Sequence, residues 1–437
     1  MGQVVTLQTD GLRQMVAGLG DPNKDKVAGA SYYRNSLSDD QLLALYETSF
    51  LAAKMVDIPA HDALKKWRNW QAEQDQITQL ERLEKSLGLK SELLHGVKLS
   101  RLWGGAVLYI GMKDAEPSEP LEPEKVKKDQ LSFVRAFSRR EVVANDLETD
   151  PIAKNYNRPK GYQVAGTDLV DIHPSRLVVL IGKPHLDPHM AQGETRGWGY
   201  PVLQSAYEAI RNADTTIASA ASLVVEANVD VFGIPDFMAR LGEPEYEKKV
   251  IERMALAARG KSTVNALLRD ANETYDRKAV SFSQLPELMR EFLGVVAGAA
   301  DIPVTRLLGQ SPGGLNSTGD GDLENYHDKI TSMQTLEIEP AMAVLDEVLI
   351  RSTFGTRPDN IWYSWPPLKQ MSQEQISKIG KTVAETVDIL SRAGTHRAEE
   401  LRQAATNQLT EIGMFPGLDS LVAESENDKD DLGEGDE

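Results

Sequence analysis

The stretch PVLQSAYEAIRNADTTIASAASLVVE, residues Pro201–Glu226, decides the fold. After its first residue it holds neither proline nor glycine, and Val202, Ala206, Ile210, Ala213, Ile217, Ala220 and Val224 recur three or four apart. That spacing predicts one uninterrupted helix, about 39 Å long at 1.5 Å per residue. Ala, Ser and Thr outnumber large apolar residues in it. Small side chains let a second helix approach closely, so packing against another helix, including one from a second subunit, is expected rather than packing on a sheet.

Downstream, Val229–Phe232 alternates like a strand, Pro244–Arg259 is helical, and Thr263–Leu268 and Ala279–Phe282 return to strand character. A helix over Pro286–Ala300 follows this compact insert. The composition then changes: GQSPGGLNSTGDGD, Gly309–Asp322, has five glycines and no large hydrophobe except Leu315, which predicts a flexible loop. After it, Leu323, Tyr326, Ile330, Met333, Leu336, Met342, Leu345 and Leu349 mark a long helix. Pro340 removes one of its amide donors and predicts a kink.

Upstream, Met1–Ala30 reads as an arm. Ser38 and Gln41 make a capping box for a helix over Asp39–Asp57, stopped by Pro59. Further helices are expected over His61–Trp70, Ile77–Leu87 and Ser91–Leu102, the last ending in Gly104-Gly105 before a strand at Ala106–Ile110. Glu116–Glu124, with three prolines among acids, predicts an extended loop. Leu131–Phe137, Tyr162–Ala165, Leu169–Ile172 and Leu177–Ile181 read as short strands, the last apolar throughout and so expected to be covered on both faces. Trp362–Pro367 closes this part, and the chain to about Leu409 is helical.

The chain of 437 residues carries a net charge of −18, which argues against a duplex-DNA reader that grips phosphates with a basic surface. Eight acids and one lysine lie in Glu424–Glu437, which predicts a disordered acidic tail, so the body is only mildly acidic. Cysteine is absent, which excludes disulfides, thiolate metal sites and cysteine nucleophiles and fits a reducing compartment. No secretory signal is expected, and Leu293–Ala300 is far shorter than the roughly 20 residues of a membrane helix.

No catalytic constellation emerges. The glycine segment lacks the Lys-Ser or Lys-Thr pair of a phosphate-binding loop. His185 and His189 have zinc-like spacing, but Pro184 and Pro188 break any helix there. Asp320, Asp322 and Glu324 resemble only a fragment of a calcium loop. His173-Pro174-Ser175 is a single His-x-Ser element, whereas a two-histidine phosphoesterase needs two. No cofactor, no metal and no enzymatic activity are therefore expected.

The order of parts resembles a tailed-bacteriophage portal protein. Ile172-His173-Pro174-Ser175-Arg176-Leu177 resembles the segment entering the final wing strand of that family. Gly197-Trp198-Gly199-Tyr200-Pro201-Val202-Leu203 is similar to the start of its first stem helix, with Tyr200 in place of the usual small residue. Ala300–Gly309, ADIPVTRLLG, resembles the stretch before the tunnel loop, and Tyr326 with Glu339-Pro340 resembles the helix after it. The likeness covers roughly Ser31–Leu349. Some relatives carry an anti-defence phosphoesterase that cleaves cyclic nucleotides, which makes such an enzyme the alternative.

The resemblance implies a mixed α+β portal fold with wing, stem, clip and helical crown. The parts would be an arm (1–30), wing (31–199), first stem helix (200–226), clip (227–283), second stem helix (284–301), tunnel loop (302–322), a wing part with the kinked helix (323–365), crown (366–423) and acidic tail (424–437). It implies a homo-oligomeric ring, generally of twelve subunits, in the virion and, during assembly, in the host cytoplasm. Implied partners are the major capsid or scaffolding protein, the large terminase, a head-tail adaptor and transiently bound double-stranded DNA, with no membrane. The residues expected to face DNA are Asn316, Ser317, Thr318, Asp320 and Asp322 of the tunnel loop. The expected terminase or adaptor contacts are Glu243, Glu245, Lys248, Lys249, Glu252 and Arg253 of the clip, with Glu247 on the same charged helix.

Overall fold

The computed structural model describes residues 36–153, 156, 158–164, 169–187, 197–225, 228–233, 243–263, 274–279, 282–309, 320–358, 360–369, 373–394 and 397–411. The expected arm and acidic tail lie outside them. Contacts divide the chain into two units, one of Met1–Lys65 with Gln71–Trp362, the other of Lys66–Trp70 with Tyr363–Glu437.

In the first unit, helix α1 spans Asp39–Thr48 behind the predicted capping box: the Gln41 amide donates to Ser38 Oγ (3.3 Å) and the Ser38 amide to Gln41 Oε1 (2.9 Å). The single helix expected to run to Asp57 is instead broken at Ser49, whose backbone is extended, and restarts as α2, Phe50–Leu64. Pro59 lies inside α2 and does not stop it. The helix expected over His61–Trp70 is replaced by the end of α2 and by a short strand, β1 (Asn69–Gln71).

Helix α3 (Gln74–Leu87) ends at Gly88, and α4 (Leu89–Trp103) ends at Gly104, both glycines in the left-handed region. Pro59 is tolerated because of α4. Proline cannot donate to the carbonyl of Met55 one turn earlier, and Arg101 of α4 supplies the donor, with Nη2 at 2.7 Å from Met55 O and Nε at 3.0 Å from Val56 O. Burial pushes the Arg101 guanidinium down to about 10, so it stays charged at neutral pH.

Gly105–Met112 forms β2, the centre of an antiparallel sheet ordered β3-β2-β7, with β3 at Leu131–Ser138 and β7 at Leu177–Ile181. A second sheet stacks β4 (Val142–Ala144), β5 (Tyr162–Val164) and β6 (Val170–Ile172) in that order. Strand β7 lies at the edge of the first sheet, yet both its faces are covered as expected: Leu177 on one and Val178 and Leu180 on the other are buried, and only Ile181 at its end is exposed. In the central strand β2, Ala106, Val107, Leu108 and Ile110 are all buried. Val107, Val142, Tyr162, Ile172, Leu177 and Trp198 form a core shared by the two sheets.

The proline- and glycine-free stretch folds as α5, Val202–Val225. Of the predicted stripe, Ala206, Ile210, Ala213 and Ala220 are buried and Val202 and Ile217 partly so, with Leu203 buried beside them and the side chain of Val224 outside the described residues. The chain then makes β8 (Asn228–Gly233), α6 (Pro244–Thr263) and β9 (Thr274–Ala279), with β8 and β9 antiparallel from Asn228↔Ala279 to Gly233↔Thr274. Thr263, expected to open a strand, ends a helix, and the rest of that expected strand, 264–268, lies outside the described residues. The strand that pairs is the polar TYDRKA, which meets the expected Ala279–Phe282 at Ala279, residues 280 and 281 lying outside the described ones. Backbone pairing with β8 outweighs the missing apolar pattern there.

Helix α7 (Leu285–Ala300) packs against α5. After it come α8 (Val304–Leu308) and α9 (Asp320–Ser332), so the segment expected to be loop through Asp322 is already helical at Asp320. The long helix continues through a π segment, Met333–Ile338, into α10 (Glu339–Phe354). Pro340 cannot donate to the Leu336 carbonyl, and the predicted disturbance takes the form of these widened turns.

The second unit pairs β1 with β10 (Trp362–Ser364). Arg68 lies over the rings of Trp70 and Tyr363, each at 4.5 Å, and of Trp67 at 5.3 Å. Helices α11 (Gln373–Ala393) and α12 (Ala398–Glu411) pack together. Among the described residues no helix is long and apolar enough to cross a membrane.

Candidate functional site

The glycine-rich segment leaves α8 at Gly309, which caps that helix with φ +69°, and re-enters at Asp320. Both of its flanks meet one side chain. Asp62, in the last turn of α2, is only 2% exposed. Its Oδ2 accepts from Arg306 Nε at 3.0 Å and from the Tyr326 hydroxyl at 2.9 Å. Its Oδ1 accepts from Arg306 Nη2 at 2.9 Å and from Lys65 Nζ at 3.3 Å. Arg306 lies in α8, before the segment, and Tyr326 in the second turn of α9, after it.

Burial works against a charged Asp62, but the hydrogen bonds from Arg306 and Tyr326 and the charges of Arg306 and Lys65 outweigh it, holding the carboxyl below the usual range. Burial, then the Asp62 charge and its hydrogen bond, push the Tyr326 phenol up. With all its lone pairs engaged by donors, Asp62 has no free site with which to take a substrate proton, so the arrangement ties segments together rather than performing acid–base chemistry.

Neighbouring contacts reinforce the flanks. Lys54 Nζ donates to Leu307 O (2.7 Å), Lys329 Nζ pairs with Asp301 Oδ2 (2.9 Å), and Gln334 Nε2 donates to Ala63 O (2.6 Å). Asp301 adopts φ +54° to cap α7, its amide and that of Ile302 closing on the last turn.

Of the residues expected to face DNA, Asn316, Ser317 and Thr318 lie outside the described residues. Asp320 and Asp322 occupy the first turn of α9, where acids complement the helix dipole, and Asp322 is exposed. On the other excursion, Glu243 precedes α6, and Glu245, Glu247, Lys248, Lys249, Glu252 and Arg253 lie on it, all exposed. The two groups belong to different excursions from the α5–α7 pair.

His173-Pro174-Ser175-Arg176 proves to be a staple. His173 caps a single 3-10 turn, its Nδ1 lying 2.8 Å from Ser175 Oγ. The His173 amide donates to Pro117 O, Ser175 Oγ accepts from the Leu121 amide, and Arg176 Nε donates to Glu119 O. The proline-rich loop is thus fastened to the start of β7. A polar cleft of about 1190 Å³ beside β4 is lined by Arg139, Arg140, Asp39 and Lys160, and the two arginines are paired with Asp39. Among the described residues no group of three His, Asp or Glu could hold a metal.

Sequence reasoning singled out Arg306 and Tyr326 through the motifs around them. It missed Asp62 and Arg101, because each acts on residues distant in sequence and neither sits in a distinctive local pattern.

The family model described as phage portal protein matches residues 40–389. The chain belongs to the phage portal protein family. This portal chain is 38% identical over 435 residues to the anti-CBASS protein Acb1 of Caulobacter sp. (strain RHG1), an alignment covering 96% of this chain and 69% of that protein. A protein of Haemophilus influenzae is 29% identical over 418 residues, covering 94% of this chain and 91% of its own. In structure it is similar to a chain from the neck of a native gene transfer agent particle computed with C12 symmetry, with 14% identity, a TM-score of 0.50, and coverage of 90% of this chain and 98% of that one. A chain from the neck of an empty particle computed with C6 symmetry gives a TM-score of 0.50 at 15% identity. These likenesses show the fold: the mixed helix-and-sheet architecture is that of portal-type subunits.

Proposed function

We propose that this chain forms a homo-oligomeric ring at the unique vertex of a phage-like capsid. There it provides the conduit for DNA during packaging and ejection and the docking point for terminase and, later, for a head-tail adaptor. The observation that carries this reading is the α5–α7 pair. The two helices pack together along one face, yet α7 leaves Leu288 50% and Val295 60% exposed on another, and Leu223 of α5 is exposed as well. Apolar side chains left open on long helices suit burial against a second copy, and a heterologous contact of this kind generates rings when its rotation closes. The C12 symmetry applied to the neck of the gene transfer agent particle, a chain of which shares this fold, supports a ring of twelve.

In this reading α5 and α7 are the stem, β8–α6–β9 the clip, and the glycine-rich segment the loop facing DNA. Asn316, Ser317, Thr318, Asp320 and Asp322 offer no cation. A conduit through which a whole genome slides is served by that, because each neutralised phosphate adds affinity and drag. The chain would work in the virion, and in the host cytoplasm while particles assemble, alongside the major capsid or scaffolding protein.

Negative-stain imaging of the purified chain tests the ring: annular particles with a central hole are expected, and monomers or small closed dimers under every assembly condition refute it. Leu288→Glu combined with Val295→Glu should abolish the rings while leaving the circular-dichroism spectrum unchanged, since both side chains point away from the core of their own subunit. Charge reversal of Lys248 and Lys249 should weaken binding of terminase or adaptor in a pull-down with purified partners, and unchanged binding removes α6 from that contact.

The name of the Caulobacter relative, an anti-CBASS protein, is compatible with a second reading, an anti-defence phosphoesterase acting on cyclic nucleotides. We regard this portal chain as non-enzymatic, because its single His-x-Ser element is spent on the loop staple. Consumption of cyclic oligonucleotides by the purified chain would establish the second reading.

A further inference from the structure

We infer that Asp62 is the positioning residue of the glycine-rich segment: one buried carboxylate fixes both ends of the segment to α2, so that the two ends are held as a unit. The inference rests on the reading of that segment as the loop facing DNA. Its physical basis is saturation. A carboxylate offers about four acceptor sites, and those of Asp62 are taken by Arg306 Nε and Nη2, the Tyr326 hydroxyl and Lys65 Nζ, between 2.9 and 3.3 Å. Two of the four come from the flank before the segment, one from the flank after it, and one from the end of α2 itself.

Neither flank can leave without uncovering a lone pair of a charge that is 2% exposed. The planar guanidinium engages both oxygens and so sets the orientation of α8 as well as its distance. The tyrosine hydroxyl reaches the same Oδ2 that Arg306 Nε uses, so the position of α9 is referred to the same atom as that of α8. Further ties run to backbone on the side before the segment: Lys54 from α2 holds Leu307 O, and Lys329 from α9 holds Asp301 O at 3.1 Å. The loop therefore leaves and returns through a frame whose centre is one side chain on a different helix.

The test uses the full chain, purified and assembled into particles, with Asp62→Asn, Tyr326→Phe, deletion of Gly313–Gly319, and each substitution combined with the deletion. Ring formation is read by negative stain, flank order by hydrogen exchange over α8 and the first two turns of α9, and function by the amount of DNA that survives nuclease challenge of filled particles. Asp62→Asn should speed exchange at both flanks together by about tenfold or more, the effect of removing a buried charged acceptor, and should lower retained DNA several-fold while rings still form. Tyr326→Phe should loosen α9 alone.

In the loop-deleted background Asp62→Asn should cause no further loss of DNA, which a merely structural role would not explain. Normal retention in Asp62→Asn with reduced retention in the deletion overturns the positioning role and leaves the loop reading standing. An equal additional loss in both backgrounds also overturns it, because Asp62 would then act on the ring itself. Normal retention in the deletion refutes the loop reading, and the inference with it. Should Asp62→Asn fail to form rings, Tyr326→Phe, which removes one hydroxyl, carries the same comparison.

Discussion

Replacing Asp62 with alanine should lower the unfolding free energy of the first unit by about 3 kcal/mol, measured by denaturant titration of the purified chain. The loss has two parts. The Tyr326 hydroxyl, buried beside Asp62, is left without its acceptor, and the bidentate ion pair with Arg306 disappears. Arg306 is 41% exposed and can turn to water, which keeps the cost at the low end for a broken buried pair.

The wild-type chain should also show a pH signature that the variant lacks. The folded Asp62 carboxyl titrates below its ordinary value, so its contribution is present above the unfolded pKa of about 4 and is lost as pH falls through the folded value. The folded Tyr326 phenol titrates above its ordinary value, so its contribution is complete below the unfolded pKa of about 10 and declines as pH rises beyond it. Stability from this cluster is therefore flat across the neutral range and falls at both extremes. In Asp62→Ala the acid limb due to this residue should vanish.

Alanine at Gly104 should have a larger effect and leave little folded protein, as judged by expression in the soluble fraction and by loss of the cooperative thermal transition. Gly104 ends α4 with φ +87°, which costs a side-chain-bearing residue about 1–2 kcal/mol. An added Cβ would also stand 2.3 Å from Gly199 O, and backbone cannot rotate away as a side-chain tip can. The carbonyl of Gly104 moreover accepts the amides of both Gly182 and Gly199, at 2.9 Å each, so a shift of this residue breaks the join between α4, the end of β7 and the entry to α5. Gly105 is crowded in the same way by the Trp198 ring, at 2.3 Å. Alanine at Gly298 is the matched control, since its Cβ would meet nothing within 4 Å.

The interlock explains why Gly197-Trp198-Gly199-Tyr200 was readable as a motif but not as a mechanism. Two glycine pairs, Gly104-Gly105 and Gly199 with Gly182, are close only because the chain returns to the same place, and no local pattern announces that. The same holds for Arg101, an ordinary arginine on a helix until its fork is seen to supply the donor that Pro59 lacks. It also holds for Ser49, where the helical periodicity of α1 and α2 runs on across a break.

What the sequence determined by itself was much of what local periodicity and punctuation set. It gave α5 from the spacing of its buried residues, the ends of α3 and α4 from Gly88 and Gly104, the disturbance before Pro340, and the order of parts that carries the portal likeness. Tertiary structure decided which strand is central, that TYDRKA and not an apolar run pairs with β8, and that one carboxylate on α2 gathers Arg306 and Tyr326. The physical reason is range. Helix periodicity and glycine conformations are written within a turn or two of chain, whereas a buried charge acquires its meaning only from partners that folding brings within about 3 Å of it.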